Sequence, residues 1–192
     1  MYQIIERDTQ QLIEEMKQLL REIVSVILGI LIALGVNNWN EERKEKKYLN
    51  QIQSSIQKEL QESVEEIKAS IPKQEVLINN LGRYLNDESK SIFEIMSASN
   101  GLQKPSIKNN SWRAIANSKI ELIEFQKLSD LSEIDQSKED LELKTEKLVD
   151  YLILHLKSTE REHKEVFMLL SQEILSTTKI AQSEIEEFLN KP

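Results

Sequence analysis

A chain of 192 residues has room for one ordinary domain and an appendage. Only 4 Gly and 3 Pro occur while 30% of residues are charged, a breaker-poor mixture rich in Glu, Lys, Leu, Ile, Gln and Ser that predicts an all-α protein and argues against a turn-rich sheet fold. The net charge of −8 lacks the basic footprint of a nucleic-acid binder, and the absence of cysteine removes disulfides, thiolate nucleophiles and cysteine-ligated zinc.

Residues 1–18 read as a short N-terminal tail or amphipathic helix. From Ile23 to Val36 the chain runs IVSVILGILIALGV, fourteen residues without a charge. Alone these cover roughly 21 Å of a hydrocarbon core roughly 30 Å thick. Extended to Leu19 and Trp39, the helix reaches about 31 Å and spans. Residues 19–39 are therefore read as a transmembrane helix, with Arg21 snorkelling to the headgroups and Asn37, Asn38 and Trp39 at the membrane interface. Glu22 is the awkward residue, close to the apolar boundary. A buried core helix is the competing reading. Against it, the run is apolar on every face, and nothing else in the chain is hydrophobic enough to surround it. A cleaved signal peptide would want a basic start, whereas Arg7 and Lys17 meet Glu6, Asp8, Glu14 and Glu15, although Ala33-Leu34-Gly35 has the small-x-small form of a cleavage site.

The stretch Glu22 to Arg43, EIVSVILGILIALGVNNWNEER, resembles the boundary signature of a family of uncharacterised bacterial single-pass membrane proteins. Gly29 through Leu34 and Asn37 through Arg43 carry that pattern. A second, weaker similarity covers Ser111 to Leu131, through Trp112, Ile115, Asn117-Ser118-Lys119, Leu122, Ile123 and Leu128, with Lys119 where such proteins often have Gly. The resemblance implies a bacterial inner-membrane protein with a lipid bilayer as its partner, and it carries no activity with it. The basic residues Arg7, Lys17 and Arg21 before the span and Arg43, Lys44, Lys46 and Lys47 after it are too evenly split to set topology. The resemblance implies a cytoplasmic N-terminus and a periplasmic soluble domain.

Within the span, Ser25, Gly29 and Ala33 recur every four residues, a stripe of small side chains that permits close approach of another helix, and Glu22 lies on the same side. This face is the candidate site of helix association. The juxtamembrane run Glu41 to Lys47 reads as a solvated helix with pairs such as Glu42–Lys46.

Residues 40–192 are expected to form an antiparallel helical bundle, its first helix the membrane helix prolonged. Leu49, Ile52, Ile56, Leu60, Val64, Ile67 and Ile71 form one apolar stripe, which Pro72 should end or kink. Val76, Leu77, Leu81, Tyr84 and Leu85 make a second. Ile92 to Met96 suit a short helix, residues 97–111 a loop, and Asn110 or Ser111 a cap for a helix starting at Trp112, itself a core anchor. A further pattern runs through Leu122, Ile123, Phe125, Leu128 and Leu131. Between Ser137 and Phe188 there is neither Gly nor Pro, and helical spacing continues with a bend expected around Lys157–Lys164.

No catalytic or cofactor constellation emerges. Glu160 and His163 have the Glu-x-x-His spacing of di-iron bundles, yet His155 has leucine at the matching position, so a charged helix face is the expected reading and no metal or cofactor is assigned. Phosphate loops and zinc-protease motifs are missing. The expected role is non-enzymatic: a membrane-anchored interaction or scaffold protein, binding another protein or itself through the membrane helix or the bundle. The alternative is a sensory module whose bundle binds a small molecule.

Overall fold

The computed structural model describes residues 2–191, with side chains from residue 16 onward. The amphipathic face expected in the N-terminal tail therefore falls largely outside the described residues. All regular structure among the described residues is helical: α1 (Tyr2–Arg83), α2 (Ile92–Ala98), α3 (Asn110–Ala116), a 3-10 turn (Ile120–Leu122), α4 (Phe125–His155) and α5 (Arg161–Asn190). The chain divides into two compact units, Met1–Asn50 and Gln51–Pro192. The first contains the apolar run and the charged stretch after it, all on α1.

The second unit is a bundle of α1 (from Gln51), α4 and α5. Contacts fix the directions. Ser137 pairs with Glu184 at 2.6 Å, Lys144 with Thr177 at 2.7 Å and Asp130 with Lys191 at 2.9 Å, so α5 runs antiparallel to α4. It is also antiparallel to α1, through Lys68–Glu186 at 2.8 Å and Glu75–Lys179 at 2.7 Å. Helices α1 and α4 consequently run the same way, and residues 84–124 carry the chain back along the bundle between them.

The predicted stripes supply the core. Ile56, Leu60, Val64 and Ile67 of α1 are buried with Leu131, Ile134, Leu141 and Leu148 of α4 and Phe167, Ile174, Ala181 and Ile185 of α5. Full burial of each large apolar side chain favours folding by about 1.5–3 kcal/mol. Between these layers sit small hydroxyl residues whose protons return to their own helix: Ser171 donates to Phe167 O at 2.8 Å and Thr178 to Ile174 O at 2.8 Å. The interior thus holds polar atoms without leaving these donors unpaired.

Pro72 does not end the first helix, which continues to Arg83. Proline removes one backbone donor and leaves the carbonyl four residues earlier without its partner. Here both Pro72 and Lys68 lie on the exposed side, where water can reach that carbonyl. Burial of Gln74, Leu77 and Leu81 beyond it holds the helix against the core.

The short elements are fixed by caps. At α2, Ser91 and Glu94 form a reciprocal capping box, with Ser91 N–H donating to Glu94 Oε2 at 2.8 Å and Glu94 N–H to Ser91 Oγ at 3.3 Å. Helix α3 starts at Asn110, two residues before Trp112, and is not capped by Asn110 or Ser111 as expected. Instead Glu59 of α1 reaches across and accepts from both Ser111 N–H and Ser111 Oγ–H at 3.0 Å. A carboxylate from another helix satisfies the first-turn donor and suits the positive helix end. Arg113 then ties α3 to α4, donating through Nε and Nη2 to Asp135 at 3.0 and 2.9 Å and through Nη2 to Glu139 at 3.1 Å.

The bend expected at 157–164 is a full reversal: α4 ends at His155 and α5 begins at Arg161. Neither Gly nor Pro is needed, because partners elsewhere take up the freed backbone groups. The first N–H groups of α2, on Ile92 and Phe93, donate to Ser158 O at 3.0 Å and Leu156 O at 2.9 Å. Ser158 N–H returns to His155 O at 2.9 Å. Lys164, with no exposed surface, sends Nζ to Tyr84 O at 3.1 Å and Asp87 O at 2.7 Å, covering the carbonyl end of α1.

Candidate functional site

In the first unit the candidate site is the surface of α1 itself. One helix of the described chain is long and apolar enough to cross a membrane; its most hydrophobic eighteen-residue window has a mean hydropathy of 2.3 and none of it is buried. Exposure of the large apolar side chains is similar around the helix, from Val24 at 47% to Ile32 at 66%, so no face is set aside for a core. Ser25, Gly29 and Ala33 are all exposed, and a Cβ built on Gly29 or Gly35 would meet nothing within 4 Å. Glu22 accepts from Gln18 Nε2 at 3.3 Å, one turn earlier. At the other flank Asn37 Nδ2 donates to Glu41 Oε1 at 3.2 Å, and the Arg43 guanidinium lies 5.9 Å from the Trp39 ring centroid. Arg21, Asn38 and Trp39 are likewise exposed. These polar and aromatic groups stand at the two ends of the apolar run.

In the bundle, Trp112 is 5% exposed and packs beside Ile56 and Leu60 of α1 and Leu131 and Ile134 of α4, the anchoring role expected of it. Glu160 and His163 are on one side of the hairpin, with 3.5 Å between Oε2 and Nε2. The histidine is otherwise engaged in packing: Tyr151 Oη is 2.9 Å from its Nδ1, and its ring stacks on His155 with centroids 3.9 Å apart. Burial, with Glu162 nearby, pushes the Tyr151 phenol above its ordinary value, which keeps it a hydroxyl at neutral pH. Among the described residues no three His, Asp or Glu side chains converge as a metal ion would require.

No family model, curated protein or solved structure matches the chain.

The bundle also has a cleft that periodicity did not predict. At the end of the bundle where α4 begins, a space of about 290 Å³ opens between α1, the Ile123–Glu124 link into α4, α4 itself and the end of α5. Ile56, Ile123, Leu131 and Phe188 form its apolar walls, with Gln53 and Gln57 on its α1 side. Its charges are paired within the chain. Lys191 Nζ is 2.9 Å from Asp130 and 3.2 Å from Glu187, and the ammonium holds the Asp130 carboxyl below the usual range. Each lining residue looks ordinary in its own stripe, and the cleft arises only where four segments fail to close. Phe125, which the apolar pattern grouped with Leu122 and Leu128, is 82% exposed in the structure and does not share their partly buried side.

Proposed function

We propose that this is a single-pass, membrane-anchored helical protein of the bacterial inner membrane, acting by association with a protein partner or with itself rather than by catalysis. The observation that carries the reading is the all-round exposed apolar surface of α1 between Leu19 and Trp39. In water such a surface would be a far larger apolar patch than soluble proteins tolerate, whereas in lipid it is at home. The likeness of Gly29–Leu34 and Asn37–Arg43 to the bacterial single-pass family supports the same location and a periplasmic bundle. The role of the small-residue face follows from lipid as solvent. Apolar side chains gain no hydrophobic advantage by leaving lipid for one another, so close packing across Ser25, Gly29 and Ala33, with Glu22 turned to the same side, is the means of helix association.

The test uses the full chain in its membrane. It should resist extraction by carbonate and high salt and float with lipid. Gly29→Leu should insert normally but lower in-membrane association by at least tenfold, while Ile30→Leu, off that face, changes nothing. Quantitative release by carbonate would sink the anchoring claim; equal association in wild type and Gly29→Leu would remove the packing face.

A further inference from the structure

The cleft at the start of α4 has the chemistry of a small-molecule site. We infer that it binds an uncharged amphipathic ligand: one ring, or a hydrocarbon group of that size, bearing a single amide or hydroxyl. Size sets the first limit. The space is about 290 Å³. An apolar cavity of about 150 Å³ already holds a benzene ring, so a ring with one polar substituent fits. Its walls are the buried side chains of Ile56, Ile123 and Leu131, with Phe188 beside them. Ile56 and Leu131 also pack beside Trp112 on their other side, so the core behind them holds the seat in shape before anything enters.

The polar groups decide the class of ligand. Gln53 and Gln57 stand one helical turn apart on α1 and line the cleft. Among the described residues neither side-chain amide has a hydrogen-bond partner within the chain, and each offers both a donor and an acceptor. The charged groups are already engaged. Asp130 accepts from Lys191 Nζ at 2.9 Å and from Gln126 Nε2 at 3.1 Å, Lys191 also lies 3.2 Å from Glu187, and Lys127 lies 4.0 Å from Glu124. A charged ligand would lose water against the apolar walls and find every counter-charge taken. A purely hydrocarbon one would strip water from the two amides and give nothing back. A neutral ligand with one polar group meets neither cost. Because its walls come from α1, α4 and α5, the site exists only in the folded bundle, and a ligand there stabilises that fold. The site needs neither the anchoring nor the association reading above.

The experiment titrates the full chain in lipid nanodiscs with para-fluorobenzamide, followed by fluorine NMR, with empty nanodiscs as the background. Binding should saturate, and it should be at least tenfold tighter than for para-fluorobenzoate or para-fluorobenzylammonium. Two variants separate the apolar seat from its polar side. Gln57→Trp, at an exposed position, fills the space and should weaken binding at least tenfold. Gln53→Leu with Gln57→Leu keeps the apolar walls, removes both amides and should also weaken benzamide at least tenfold. Leu154→Asp, at a site 77% exposed near the opposite end of α4, should leave affinity unchanged. No saturation above empty nanodiscs, equal affinity for the charged analogues, or wild-type affinity in both glutamine variants overturns the inference.

Discussion

Lys164 allows a sharp test of how the bundle is held, because two large effects oppose each other there. Its side chain is fully buried, and its ammonium donates to Tyr84 O and Asp87 O at 3.1 and 2.7 Å. Replacing it with methionine keeps most of the aliphatic volume and deletes both bonds. Hydrogen bonds to a charged group contribute about 1.5–3 kcal/mol each, so the gross loss is about 3–6 kcal/mol. Against this, the wild type takes an ammonium out of water, and removing that burden returns part of the loss. The carbonyls left behind are only partly buried and can regain some hydration. The balance is a net destabilisation of about 2–4 kcal/mol. At about 2–4 °C per kcal/mol for a domain of this size, Tm should fall by about 4–16 °C. Circular dichroism at 222 nm on the full chain in detergent reads this. Hydrogen exchange should also show faster opening of residues 84–93, where α1 ends and α2 begins. A Tm within 1 °C of wild type would refute the reasoning, since it would mean that burial of the ammonium cancels both bonds.

Trp112→Ala should lower bundle stability by about 3–5 kcal/mol, read by the same melts, because the indole fills the space between α1 and α4. Glu184 supplies a pH test. Burial, with Glu133 and Asp140 nearby, raises its carboxyl above the ordinary value despite the bond from Ser137. A raised folded pKa means that the folded state binds the proton more tightly, so this group favours folding at low pH and loses that contribution as pH rises through the folded pKa. Glu184→Gln should therefore raise Tm at pH 7, with the gain shrinking towards pH 4; a gain independent of pH would show that ionisation is not the cause.

What could be read from the sequence was what period and composition encode locally. The stripe Ile56, Leu60, Val64, Ile67 became the buried face of α1, and Leu141, Leu148, Phe167 and Ile174 followed suit, because a single helix decides which side faces the core. The features that escaped depend on contacts between distant segments. Pro72 looked like a terminator, yet its missing donor falls on the wet side while Leu77 and Leu81 anchor the helix beyond it. The α4–α5 reversal has no breaker residue, since its exposed carbonyls are satisfied by Ile92 and Phe93, more than sixty residues earlier in the chain. The cap of α3 comes from Glu59, fifty-two residues before Ser111. Of the candidate site, the long apolar stretch of α1 was legible because hydropathy is written in composition. The cleft was not, because it is a packing defect shared by four segments.

The central claim is that residues 19–39 cross a bilayer, and the cysteine-free chain makes a direct measurement available. Single cysteines at Met16, Ile30 and Lys46, all exposed positions of α1, can be offered a membrane-impermeant maleimide on intact, uniformly oriented vesicles. Spanning predicts that one of the two flanks, 16 or 46, is labelled from outside, that the other is labelled only after detergent, and that position 30 stays unreactive in lipid. Equal labelling of both flanks from the same side, with position 30 reacting as fast as either, would contradict it.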